Sequence, residues 1–177
     1  MPSELRAATL EDIPALRALI DASVRELSRG FYSDPQVESA LRYVFGPDTQ
    51  LIADRTYFVL PAAEGFAAAG GWSKRRTLYG GDQMKLTVDP ELDPATEAAR
   101  IRAFYVHPAF ARRGLGRMLL DHCSAAASAA GFRRLELMST MPGVPLYTVM
   151  GFTPIESTVQ LLPDGVELPF VRMGKAL

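Results

Sequence analysis

The sequence predicts one α/β domain in which short apolar strands and amphipathic helices share a single core. Three observations carry that expectation. The nearly continuous apolar run from Ile101 to Val106 suits a central strand buried on both faces. Leu115, Leu119, Cys123, Ala126 and Ala130 then recur at intervals of three and four, as one face of a long helix requires. Finally, 177 residues suffice for one sizeable core and leave too little chain for two, so residues 1–177 are read as a single domain.

The remaining elements follow in chain order. Leu5 to Ala8 suits a first strand, and Thr9-Leu10-Glu11-Asp12 has the form of a helix cap with an acidic third position. Ile13, Leu16, Ile20, Val24 and Leu27 give the next helix one apolar stripe, which Gly30 ends. Asp34-Pro35 opens a second helix carrying Val37, Leu41 and Val44, closed by Gly46-Pro47. Thr56 to Leu60 and Gly65 to Trp72 read as two strands of a hairpin around Pro61-Ala62-Ala63-Glu64. Ser73 to Ala98 is polar and rich in turn formers, which suits either a rim beside a site or a solvated surface loop. Beyond the central strand and its helix, Gly131 is placed as a cap. Leu135 to Leu137 is the next strand, Pro145 to Met150 a short helix, and Pro169 to Met173 a last strand.

Composition narrows the function. A net charge of −1 argues against broad attraction to nucleic acid, although Arg112, Arg113 and Arg117 form a local cluster able to meet a nucleotide-sized polyanion. One cysteine excludes an intramolecular disulfide and a multi-cysteine metal site, and it suits a reducing compartment; no metal is expected. No apolar run is long enough to span a membrane, and Met1-Pro2-Ser3-Glu4 lacks the basic and apolar regions of a secretory signal. The expectation is a cytoplasmic protein with neither nucleic acid nor membrane as partner.

The chemistry concentrates between Phe104 and Phe152. Phe104 to Leu120 reads as a strand, a proline stop, a basic glycine turn and a helix. Glycines without β-carbons let successive amides converge on an anion, and the helix start adds partial positive charge, so the turn reads as a pyrophosphate cradle. The segment Ala111-Arg112-Arg113-Gly114-Leu115-Gly116 after Val106-His107-Pro108 resembles the pyrophosphate loop of the GNAT superfamily of acyl-CoA-dependent N-acetyltransferases. That loop is written Arg/Gln-x-x-Gly-x-Gly/Ala, and Ala111 stands where the family carries Arg or Gln. Pro145-Leu146-Tyr147-Thr148-Val149-Met150-Gly151-Phe152 resembles the family's Phe-Tyr-x-x-x-Gly-Phe signature. Met141-Pro142-Gly143-Val144 occupies the region where the family has Asn-x-x-Ala.

This resemblance implies a mixed, largely antiparallel sheet flanked by helices, acetyl-CoA as co-substrate, a symmetric dimer, and direct attack of an amine on the thioester. Residues Arg112, Arg113, Gly114, Leu115, Gly116, Arg117 and Met118 would hold the pyrophosphate. Backbone groups of Phe104 and Val106 would pair with pantetheine as though it were an added strand. Tyr147 would protonate the departing thiolate, its ordinary pKa of about 10 being close to that of a thiol. For a general base, Glu97 and Asp82 are the candidates, each weighed against a solvated surface charge, with water as the alternative relay. His107, His122 and Cys123 receive no catalytic role. The acceptor, a small molecule or a protein amino group, would be met by Tyr32, Trp72 and Tyr79, with Tyr43 a further aromatic in the same part of the chain. The alternatives from other classes are a non-catalytic acyl-CoA-binding regulatory module and a nucleotide-binding protein without CoA chemistry.

Overall fold

The computed structural model describes residues 4–85 and 87–177; Met1-Pro2-Ser3, on which part of the signal-peptide reading rests, lies outside them. Its strands are β1 (Arg6–Ala7), β2 (Tyr57–Pro61), β3 (Phe66–Ser73), β4 (Ala99–Val106), β5 (Arg134–Thr140), β6 (Thr153–Leu161) and β7 (Glu167–Ala176). The helices are α1 (Ile13–Leu27), α2 (Asp34–Tyr43), α3 (Thr49–Ala53), α4 (Leu115–Ala129) and α5 (Val144–Val149). All seven strands join in one sheet ordered β1-β2-β3-β4-β5-β7-β6. Only β4 and β5 run parallel, and α4 is the crossover that a parallel pair needs. The mixed, largely antiparallel sheet flanked by helices is therefore the observed architecture.

Local chemistry sets the element boundaries. Thr9 and Asp12 form the expected capping box ahead of α1, and Ser33 and Gln36 form another at α2. α1 buries Leu16, Leu19, Ile20 and Val24, while α4 buries Gly116, Leu119, Leu120, Cys123 and Ala127. Ala130, read from the periodicity as part of that stripe, is exposed at the helix end. Two elements escaped the sequence reading. α3 is only five residues long and begins at Asp48, whose carboxylate accepts from the amides of Gln50 and Leu51. β6 is an edge strand without a buried residue, so it lacks the apolar alternation that betrays a strand.

The Ser73–Ala98 segment is fastened to the domain rather than loosely solvated. Arg75 donates to both carboxylate oxygens of Asp54 at 2.7 and 2.9 Å, and Asp89 accepts from the amide of Thr77 at 2.8 Å. No helix among the described residues is long and apolar enough to cross a membrane.

The core carries several weak acids. Burial pushes the ionisation of Tyr57, Tyr105, Tyr147 and the Cys123 thiol upward, and that of Tyr32 up to about 12. The folded pKa values thus exceed the unfolded ones, which are near 8.5 for a thiol and about 10 for tyrosine. The resulting stability is fully present below the unfolded values and is lost as pH rises through the window up to the folded ones. Each group contributes a slope of about 1.4 kcal/mol per pH unit while only the unfolded chain ionises. The urea midpoint is therefore expected to fall steeply between about pH 9 and 11; a flat or rising midpoint would contradict this picture of the core.

Candidate active site

β4 and β5 begin side by side and then part. Their paired residues are Ala99 with Leu135 and Arg100 with Glu136, so from Ile101 onward the β5-facing edge of β4 has no strand partner. On its other edge β4 is bulged: Arg102 pairs with Gly71 and Tyr105 with Ala69, leaving Ala103 and Phe104 opposite Gly70. Ala103 has φ of 55°, an unusual conformation for a residue with a β-carbon. Gly70 is required there, because a Cβ at that position would stand 2.5 Å from the ring of Phe104. The divergence, the bulge and the free edge all lie in the half of β4 that leads into the basic turn.

The turn leaves a run of backbone amides without protein acceptors. Arg112 and Gly114 both adopt left-handed backbone conformations, with φ of 63° and 80°, and Gly114 caps α4. Among the described residues, the amides of Arg112, Arg113 and Gly114 have no protein acceptor. Those of Leu115, Gly116 and Arg117 lie in the first turn of a helix, where no intrahelical acceptor exists. Successive free amides at a helix start suit an anion. Met118 departs from the expectation: its amide donates to the Gly114 carbonyl at 3.0 Å and is spent inside the helix. The side chains of Arg112, Arg113 and Arg117 are exposed around the turn. His107 serves the turn's geometry, its Nδ1 accepting from the amide of Ala109 at 3.1 Å.

The fold packs the start of α4 against α5, the helix that carries Tyr147. A Cβ on Gly116 would stand 3.3 Å from the Leu146 side chain, so the first turn of α4 packs on α5 one residue before Tyr147. Tyr147 is 9% exposed, with its ring 6.4 Å from that of Phe104 and 5.6 Å from that of Phe152. Its hydroxyl has no hydrogen-bond partner among the described residues, yet it is not among the fully buried unpartnered atoms, of which Thr56 Oγ1 is the one found there. It therefore retains contact with solvent. Burial pushes its pKa well up, so at neutral pH it is a proton donor.

Residues 22–152 match the acetyltransferase (GNAT) family. The chain belongs to that family. No curated protein matches it. Among solved structures, a GCN5-related N-acetyltransferase from Rhodopseudomonas palustris is similar over all of this chain and 96% of its own, with TM-score 0.72 and 19% identity. The PaiA N-acetyltransferase of Thermoplasma acidophilum, solved in complex with coenzyme A, has TM-score 0.64 and 14% identity over 98% of each chain. YncA of Salmonella typhimurium, solved with its cofactor acetyl-CoA, has TM-score 0.63 and 18% identity over all of this chain and 94% of its own. At these identities the likeness is one of fold.

The other residues singled out in this GNAT chain are scattered. Trp72 is 6% exposed in the core beside Phe132, near the start of β4 and away from the turn, so it offers no wall to an acceptor. Tyr32 is a buried tie: its hydroxyl donates to the Pro169 carbonyl at 2.6 Å and accepts from the Met141 amide at 3.0 Å. Tyr79 is half-buried against Phe170 and donates to Gln160. Tyr43 is half-buried beneath the Arg42 guanidinium. Both candidate bases sit in local hydrogen bonds: Asp82 accepts from the amide and hydroxyl of Thr49, and Glu97 accepts from the amide of Asp93. Cys123 is buried, and burial pushes its thiol pKa up, which keeps it un-ionised and unreactive. His122 stacks edge-on against Phe58 at 4.4 Å. An open cleft of about 350 Å3 is lined by Arg134, Glu136, Gly151 and Lys175 at the start of β5, apart from the turn.

A buried ionic network behind β4 was missed altogether. Arg102, immediately before the bulge, donates to Asp48 at 2.9 Å and to the carbonyls of Thr77 and Gly80 at 3.1 and 2.6 Å. Lys85 donates to the same carboxylate. The Gly46-Pro47-Asp48 sequence signalled a helix start that would have located Asp48, but nothing local pairs it with a residue 54 positions away. Asp48→Asn keeps the cap while removing the charge that both cations face. It is expected to cost about 1–3 kcal/mol in urea denaturation; an unchanged midpoint would show that the network is not stabilising.

Proposed function

We propose that this GNAT protein transfers the acetyl group of acetyl-CoA to the nitrogen of a primary amine by direct attack, with Tyr147 as general acid. The observation that supports this reading most is the contact of α4 with α5 at Gly116 and Leu146, which joins the helix that follows the turn of free amides to the helix that bears an unpartnered, protonated tyrosine. Phosphates would be held by the amides from Arg112 to Arg117, and pantetheine by the free edge of β4 at Phe104 and Val106. Bound acetyl-CoA supplies an activated acyl carbon as a thioester. The neutral amine forms the N–C bond, the C–S bond breaks, and the sulfur receives the proton of Tyr147. The amine's surplus proton leaves through water, Asp82 and Glu97 being held in local hydrogen bonds, and returns the phenol to its protonated form.

Neighbouring folds support the amine as acceptor: they include proteins named as ribosomal-protein-alanine N-acetyltransferases from Brucella melitensis and Escherichia coli. The reading includes a cytoplasmic location, which the single buried cysteine suits, and a symmetric dimer, which light scattering checks. The principal test is thiol release from acetyl-CoA with a panel of amines. Amine-dependent release is expected; tight CoA binding with no release from any amine would overturn the enzyme reading in favour of a regulatory module.

A further inference from the structure

Beside Tyr147 the structure presents an aromatic and thioether face. Side chains alternate along β4, so Tyr105 points opposite to Phe104, toward α1 and α2. Phe45 stands edge-on to Tyr105 at 6.3 Å and to Phe170 at 6.4 Å, and Tyr79 lies 5.0 Å from Phe170. Met138 and Met141, at the end of β5, complete the cluster. Phe170 is buried, whereas the other five are half-buried. The face approaches the reacting centre through Met141, two residues before Gly143, where a Cβ would stand 3.1 Å from the Tyr147 ring.

Most of the charges carried by the same segments are engaged, whereas Arg17 of α1, exposed in an open cleft with Phe45, has no ion-pair partner among the described residues. Asp48 faces Arg102 and Lys85, Asp82 accepts from Thr49, and Glu136 accepts from Arg100 and Arg172. Glu167 on β7 is on the strand face opposite Phe170. A second ammonium group of a polyamine would find no unengaged carboxylate here, and an acidic acceptor would find Arg102 and Lys85 already paired. Half-exposed aromatics and methionines instead reward an apolar body by burial, and methionine adapts to its shape.

We infer that the acceptor is a monoamine whose nitrogen is carried close to an aromatic, branched or thioether group, received by Phe45, Tyr79, Tyr105 and the two methionines. This rests on the acetyl-transfer reading above. The chemistry is shared by a free arylalkylamine and by the amino terminus of a peptide beginning with Phe or Met. Thiol release from acetyl-CoA with phenethylamine and with such a peptide separates these two sources. Putrescine, spermidine, glutamate and an aminoglycoside form the opposing arm. The expected kcat/KM is at least about tenfold higher for the better apolar acceptor than for any member of the opposing arm. Tyr79→Ala is expected to cost that acceptor about tenfold, mainly through KM, with the Kd for CoA unchanged, and Tyr79→Phe to recover the larger part of the loss. Faster turnover of a polyamine, glutamate or the aminoglycoside overturns this inference and leaves acetyl transfer standing. No thiol release from any amine, with CoA bound, overturns both.

Discussion

Gly116→Val is expected to weaken coenzyme A binding by about a hundredfold, equivalent to about 2.7 kcal/mol. Gly116 is buried in the first turn of α4, where its missing β-carbon leaves room for Leu146 of α5 and, on the proposed reading, for the approach of the pyrophosphate. A Cβ there would already meet Leu146 at 3.3 Å, and the branched γ-carbons of valine must either push α5 aside or stand over the free amides. Valine has a higher helix propensity than glycine, so the loss is not expected from unfolding of α4. Calorimetry on the folded variant reads the affinity directly, and Gly116→Ala, which adds one carbon, is expected to fall between. An unchanged Kd would remove the turn from CoA binding and with it the cradle assignment.

Tyr147→Phe is expected to reduce turnover by roughly ten- to a thousandfold while CoA affinity and thermal stability stay near wild type. The ring remains packed between Phe104 and Phe152, and because the hydroxyl has no partner among the described residues its removal orphans no buried group. On the proposed mechanism only the proton source for the leaving sulfur is lost, and water would partly substitute for it. Burial holds the phenol protonated across the neutral range, so the wild-type rate is not expected to decline with the ordinary tyrosine ionisation near pH 10. A wild-type rate in the folded variant would make Tyr147 a packing residue.

What could be read from the sequence was whatever has a local signature. The turn from Arg112 to Gly116 and the helix that follows it are legible because backbone freedom, charge and periodicity are written within a few residues of one another. Tyr147 was legible through its spacing to Gly151 and Phe152, which are adjacent in the chain as well as in space. The bulge at Ala103 was not, since alanine carries no preference for a left-handed φ and the pairing with β3 imposes it. The acceptor candidates could not be told apart for the complementary reason. Trp72, Tyr32 and Tyr79 are similar as residue types, and only the tertiary fold sends the first into the core, makes the second a tie between β7 and the end of β5, and leaves the third half-exposed. The Asp48–Arg102 pair likewise spans the chain and has no periodicity to announce it.

The most direct measurement follows the acetyl group itself. Acetyl-CoA carrying isotopically labelled carbon in the acetyl group is incubated with the protein and an accepted amine, and the label is traced by mass spectrometry as free CoA is counted. Direct transfer predicts label on the amine nitrogen as an amide, one per CoA released, and none held on the protein, where the one thiol, Cys123, is buried with its pKa pushed up. Label retained on the protein as an acyl intermediate, or CoA that binds without any labelled amide appearing, would contradict the account.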